Sequence, residues 1–230
     1  MRLHLALGQW QGSARDNGDA DEAVLLGAFE NLGSNCEFAL AQRHYGAEPP
    51  LSLLRWAAIT YPNLLLGLET GFAGLDDAAG IDVRWAGSEY RLCTPFLRMH
   101  TTCNVMQDAA GIQAIRDQGR TTLRLLRRKL LRDIAAPQRI FVFASDDTGF
   151  HQPEMRRLHA ALRRIGPANL LCVRLASFGE QPNHVERLSD GLYAGRVAGF
   201  GRPHGPYAQW LSLCAKAMSL HQQGEPQTRP

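Results

Sequence analysis

The stretch from Arg139 to Leu175 restricts the fold of this 230-residue chain more than any other. Arg139 to Ala144 (Arg-Ile-Phe-Val-Phe-Ala) is a short apolar run suited to a buried strand, and Ser145-Asp-Asp-Thr-Gly-Phe150 is loop-forming. Pro153 then fits a first helical turn. Met155, Leu158, Leu162 and Ile165 recur on one helix face, and Gly166-Pro167 ends the helix. Leu170 to Leu175 returns as a second apolar strand. A strand, helix and strand of these lengths make a crossover unit, which is right-handed and builds parallel pairing. The fold class expected is therefore α/β, with a mostly parallel central sheet flanked by helices.

Other segments fit around this unit. Phe29 onward reads as a short strand, followed by a helix with Phe38, Ala41 and Tyr45 on one face and Gly46 as its stop. Pro62 opens a helix through Leu64, Leu65 and Leu68. Ile81, Val83 and Trp85 alternate with polar residues, Ala86-Gly87-Ser88 turns, and Tyr90 and Leu92 alternate back, which predicts a small β-hairpin insertion. Tyr207 to Leu220 is helical, with Trp210, Leu211, Cys214 and Met218 on its buried side, whereas the Gly- and Pro-rich segment 181–206 gives no clear pattern.

With 45% apolar and 20% charged residues the chain can bury a sizeable core, and it has no apolar run long enough to span a bilayer. The first ten residues are too polar for a secretory signal, so a cytoplasmic protein is expected. Residues 1–20 read as a loose lead-in, 21–221 as one α/β domain and 222–230 as a loose tail.

The net charge of +3 hides a strong preference for arginine, since Lys129 and Lys216 are the only lysines among 25 basic residues. Arg120, Arg124, Arg128 and Arg132 recur every fourth residue beside an apolar stripe of Leu123, Leu126, Leu130 and Ile134. No aromatic residue interleaves that basic face for base stacking, so a solvated or carboxylate-paired surface is expected and nucleic acid is not an expected partner. The five cysteines are scattered with no C-x-x-C pair, which argues against a disulfide framework.

Cys36 stands apart from the other four. Gly33-Ser34-Asn35-Cys36 joins a strand to a helix, so its thiol falls at the first helical turn, where the helix dipole and unpaired N–H groups favour a thiolate. The same N–H groups and the Asn35 amide suit the oxyanion that forms when a thiolate attacks a carbonyl. Ser34, Asn35 and Glu37 are therefore the candidate oxyanion and substrate contacts. In an open α/β sheet this loop is also where a ligand is expected.

The segment Phe29-Glu-Asn-Leu-Gly-Ser-Asn-Cys-Glu-Phe-Ala-Leu-Ala-Gln-Arg-His-Tyr-Gly-Ala-Glu-Pro-Pro50, followed by Leu53-Leu-Arg-Trp56, resembles the opening of a bacterial family of unknown function labelled papain-like cysteine peptidases. Members begin with Ser-Leu-Gly-x-Asn-Cys and continue through a helix into an apolar segment ending in an aromatic residue. The downstream strand, helix and strand follow the same order, so the likeness spans Phe29 to Leu175. Here Asn31 stands for the first Ser, and the basic residue that usually ends the strand near Ala144 is absent. The resemblance implies a cysteine-dependent hydrolase or acyltransferase linked to surface polysaccharide, with a saccharide or other small-molecule substrate and Cys36 as nucleophile. A shorter likeness, to capsule-biosynthesis acetyltransferases carrying Gly-Asn-Cys-Gln after a strand, puts Glu37 in the Gln position.

Such a nucleophile needs a base, and the base needs an orienting group. The family tends to place a His after an aromatic residue in its middle region, which points to His100. His151, just past the strand ending at Ala144, is the second candidate, with Asp146 or Asp147 as orienter. His44 lies a whole helix length beyond Cys36 and is too far along to reach it. His100-Thr-Thr-Cys103 has no second ligand pair at zinc-like spacing, and the Gly195–Gly205 segment lacks a dinucleotide fingerprint, so no metal and no cofactor is expected. The competing reading is a non-catalytic binding module for an anionic sugar or nucleotide.

Overall fold

The computed structural model describes residues 20–47, 51–87, 90–101, 109–136, 139–147, 149–201 and 207–224, apart from the side chains of His100, Thr101, Ala109 and Gly224. Its elements run α1 (Ala20–Gly27), β1 (Phe29–Asn31), α2 (Glu37–His44), β2 (Ala57–Ala58), α3 (Tyr61–Glu69), β3 (Asp82–Trp85), β4 (Tyr90–Cys93), β5 (Arg98–Thr101) and α4 (Ala109–Ala135). They continue as β6 (Ile140–Ser145), α5 (Gln152–Ile165), β7 (Asn169–Leu175), β8 (His184–Ser189), β9 (Leu192–Val197) and α6 (Tyr207–Gly224).

The main sheet has the order β1-β6-β7-β9-β8, parallel except for the edge strand β8. The fold is α/β, and β6, α5 and β7 form the crossover unit read from the sequence. Alternate residues of β6 face opposite layers, as the pleat requires. Ile140, Val142 and Ala144 join a core with α1, α2 and α6, while Phe141 and Phe143 join one with α3, α4, α5 and the smaller sheet. Because both faces are covered, β6 is apolar from Ile140 to Ala144 and buried along its whole length.

The expected hairpin is β3–β4, with Asp82 opposite Cys93 and Trp85 opposite Tyr90. It is half of a larger unit, since β5 pairs with β4 and β2 with β5 to give a four-stranded antiparallel sheet. Strands β8 and β9 fill the segment the sequence left unassigned. α4 starts well before Arg120, and α6 runs on to Gly224, past the tail boundary expected at residue 221.

On α4 the apolar stripe of Leu123, Leu126, Leu130 and Ile134 is buried. The basic stripe is partly spent inside the fold. Arg120 donates to the Asp76 carbonyl at 3.0 Å, and Arg124 pairs with the Asp76 carboxylate at 2.8 Å, whose acid is held below the usual carboxylate range by that bond. Among the described residues no helix is long and apolar enough to cross a membrane.

Candidate active site

β1 ends at Asn31, and the chain must turn sharply to enter α2. Gly33 and Ser34 both take positive φ, +85° and +67°. Gly33 is required on two counts: its backbone is left-handed, and a Cβ there would lie 2.7 Å from Ile59 Cγ2 and 3.1 Å from the Ala57 carbonyl oxygen. Ser34 has no such licence, and a non-glycine residue in this region costs on the order of 1–2 kcal/mol.

Two buried asparagines hold the strained turn. Asn31 Oδ1 accepts from the Gly33 N–H at 3.2 Å, while its Nδ2 donates to the carbonyls of Asn35 (3.3 Å) and Arg55 (3.2 Å). Asn35 Oδ1 accepts from the Glu37 N–H at 2.8 Å. Asn31 is thus what ties the turn to the backbone at Arg55. Sequence reasoning missed this role, because an asparagine ending the short strand Phe29-Glu30-Asn31 carries no local sign of its partners.

Cys36 caps α2 at its N-terminus and is half-buried, with no side-chain cap bond. Beside it, Asn35 is 2% exposed and its Nδ2 has no hydrogen-bond partner among the described residues. Glu37 is fully buried: its Oε1 accepts from Trp210 Nε1 at 2.8 Å and Gln209 Nε2 at 3.3 Å. Its burial makes Glu37 a clamp between α2 and α6 rather than the substrate contact expected. Tyr207, at the start of α6, has its hydroxyl pushed up by burial, with the proximity of Glu37 and Cys36 adding to the effect. Its ring packs on His44 at 4.9 Å between centroids. The sequence did not single out Tyr207, because its approach to this site depends on α6 packing against α2.

The loops after β1, β6, β7 and β9 leave the same carboxyl edge of the parallel strands. Asp146, Asp147 and His151 come together there, lining a hollow of ≈ 200 Å³ with Arg174 and Ser177. Asp147 Oδ1 accepts from the Gly149 N–H at 2.8 Å, and the His151 N–H donates to Glu154 at 3.1 Å, which starts α5. Among the described residues no hydrogen bond joins His151 to either aspartate or to Cys36, so the expected orienting pair is assembled in one place without being bonded. His100 lies on β5 opposite Arg91, and its side chain is outside the described residues.

A second hollow of ≈ 380 Å³ opens against the turn at Ser34. Ser34 forms one wall, Thr60 and Asn63 at the start of α3 another, and residues 94–98 the third. Asn63 Nδ2 bridges to the carbonyl of Phe96 at 3.2 Å, while Thr94 Oγ1 accepts from the Phe96 and Leu97 N–H groups, fixing that wall. Nothing in the sequence marked this hollow, since it is built by strands too short to show a pattern.

Of the other thiols, Cys172 and Cys214 are buried, and burial pushes both well above the ordinary thiol range. Cys93 is half-buried. Among the described residues no three His, Cys, Asp or Glu side chains are grouped to hold a metal ion. No protein-family model, curated protein or solved structure matches the chain.

Proposed function

We propose that Cys36 is the nucleophile of an acyl-transfer or acyl-hydrolysis reaction. The observation that carries this reading is the strained Gly33–Ser34 turn, which sets a half-buried thiol at the N-terminus of α2 beside a buried Asn35 whose Nδ2 is unspent among the described residues. Strain of this kind is retained where the surrounding structure over-determines it, as at sites of chemistry.

In the reaction the Cys36 sulfur forms a bond to the substrate carbonyl carbon, and the π pair moves onto oxygen. The Asn35 Nδ2 and the first-turn N–H groups of α2, apart from the Glu37 N–H that Asn35 Oδ1 already takes, hydrogen-bond that oxyanion. Collapse expels the leaving group, which takes the proton that an imidazole removed from the thiol. Water or a sugar hydroxyl then attacks the thioester with the same imidazole as base, releasing Cys36. His100 and His151 are the two bases proposed, and the hydroxyl acceptor fits the surface-polysaccharide link implied by the resemblance.

Site-resolved alkylation with iodoacetamide tests the reading. Cys36 is expected to label at least about tenfold faster than Cys93, the other half-buried thiol among the described residues. A burst of nitrophenol from 4-nitrophenyl acetate should be lost in Cys36→Ser. Equal labelling of the two thiols, with no burst, overturns the enzyme and leaves the binding module.

A further inference from the structure

We infer that the hollow bounded by Ser34, Thr60, Asn63 and Arg98 binds a single sugar unit carrying one anionic group, with Arg98 as the anion contact. This goes beyond the proposed chemistry, because the site is complete whether or not Cys36 reacts.

Charge is the first argument. Several arginines around the fold are spent on carboxylates: Arg84 on Asp82, Arg124 on Asp76, Arg163 on Asp190, Arg174 on Glu180 and Arg196 on Glu186. Arg98 is exposed at the hollow and has no ion-pair partner among the described residues, and no described residue lining the hollow is acidic. A guanidinium left open in a concave site presents a fork of N–H donors that matches a carboxylate or phosphate in two parallel hydrogen bonds.

The remaining lining argues for a hydroxylated ligand. Neither the Ser34 nor the Thr60 hydroxyl has a hydrogen-bond partner among the described residues, even though Thr60 caps α3. Each can both donate and accept, which suits sugar hydroxyls. Asn63 spends its Nδ2 on the 95–96 carbonyls, which leaves its Oδ1 as an acceptor. Ile59, Phe96 and Leu97 supply an apolar surface for the C–H face of a ring. A volume of ≈ 380 Å³ lies at the small end of ligand sites, about 300–1,000 Å³, and so fits one residue of a saccharide rather than a chain. Ser34 precedes Cys36 by two residues, so an occupant of this hollow sits against the same turn that carries the thiol.

Isothermal titration of the full chain with glucuronate, glucose 6-phosphate and methyl glucoside tests the assignment. At least one charged sugar is expected to bind about tenfold or more tightly than the neutral one, and the tighter of the two identifies carboxylate or phosphate as the anion. Arg98→Ala should bring charged and neutral sugars to the same affinity, with Arg98→Lys in between. Because Arg98 is exposed and unpaired, both variants should keep the parent melting temperature. Cys36→Ser should bind all three sugars as the parent does, so failure of the thiol chemistry is read separately from failure of the site. No binding of any sugar, equal affinity for charged and neutral sugars, or a charge preference that survives in Arg98→Ala overturns the inference.

Discussion

Trp210 donates its indole N–H to the Glu37 carboxylate at 2.8 Å, so the first turn of the helix that begins at Cys36 is fastened to the last helix of the chain. Both residues are fully buried. The contact joins positions 173 residues apart and is reinforced by Phe38, whose ring lies 5.3 Å from that of Trp210. A carboxylate at the start of a helix is favoured by the helix dipole, which offsets part of the cost of burying it.

Trp210→Phe keeps most of the apolar bulk and removes only the N–H. The Glu37 oxygen is then left with Gln209 alone. Loss of a buried hydrogen bond to a charged group costs about 1.5–3 kcal/mol. Urea unfolding should show a loss of that order, and iodoacetamide should label Cys36 at an altered rate because its turn is no longer clamped. Unchanged stability would show that the indole contributes packing alone.

The turn before Cys36 gives a prediction of opposite signs at adjacent positions. Gly33→Ala puts a Cβ into Ile59 and the 57 carbonyl at a left-handed backbone, and should cost at least about 2 kcal/mol. Ser34→Gly relieves the left-handed strain of a residue whose hydroxyl bonds to nothing among the described residues, and should gain on the order of 1 kcal/mol. Thermal unfolding of the two variants checks both signs. A destabilised Ser34→Gly would mean that the serine side chain is holding the turn.

How much of this was legible in the sequence depends on the distance over which each feature is encoded. The β6–α5–β7 unit was readable because a continuous apolar strand, an amphipathic stripe and a Gly-Pro stop all lie within one local stretch. The placement of Cys36 at a helix start was readable for the same reason. Strands β8 and β9 were not, because β8 mixes exposed and buried positions at a sheet edge, and Arg187 of β8 and Arg196 of β9 are held by Asp190 and Glu186. Glu37 read as a ligand contact because nothing local announces a partner 173 positions away. The Ser34 hollow was invisible for a related reason: its walls come from three separate segments that meet only after the smaller sheet has formed.

His159 carries a pH prediction. It is buried on α5, and its Nε2 accepts from Arg163 Nε at 3.1 Å. Burial holds its pKa below the ordinary histidine value, the Arg163 charge adds to this, and a bond to the Ala168 backbone opposes it. The folded protein therefore binds the proton less well than the unfolded chain. Its contribution to stability is fully present above the unfolded histidine value of about 6.5 and is lost as pH falls through the depressed folded value. Gln can accept the same Arg163 bond without titrating, so His159→Gln isolates the proton from the contact. Urea midpoints measured between pH 7.5 and 5 should fall further in the parent than in His159→Gln. Parallel curves would mean that the imidazole is already open to solvent when folded, and that the acid response of the fold comes from its carboxylates alone.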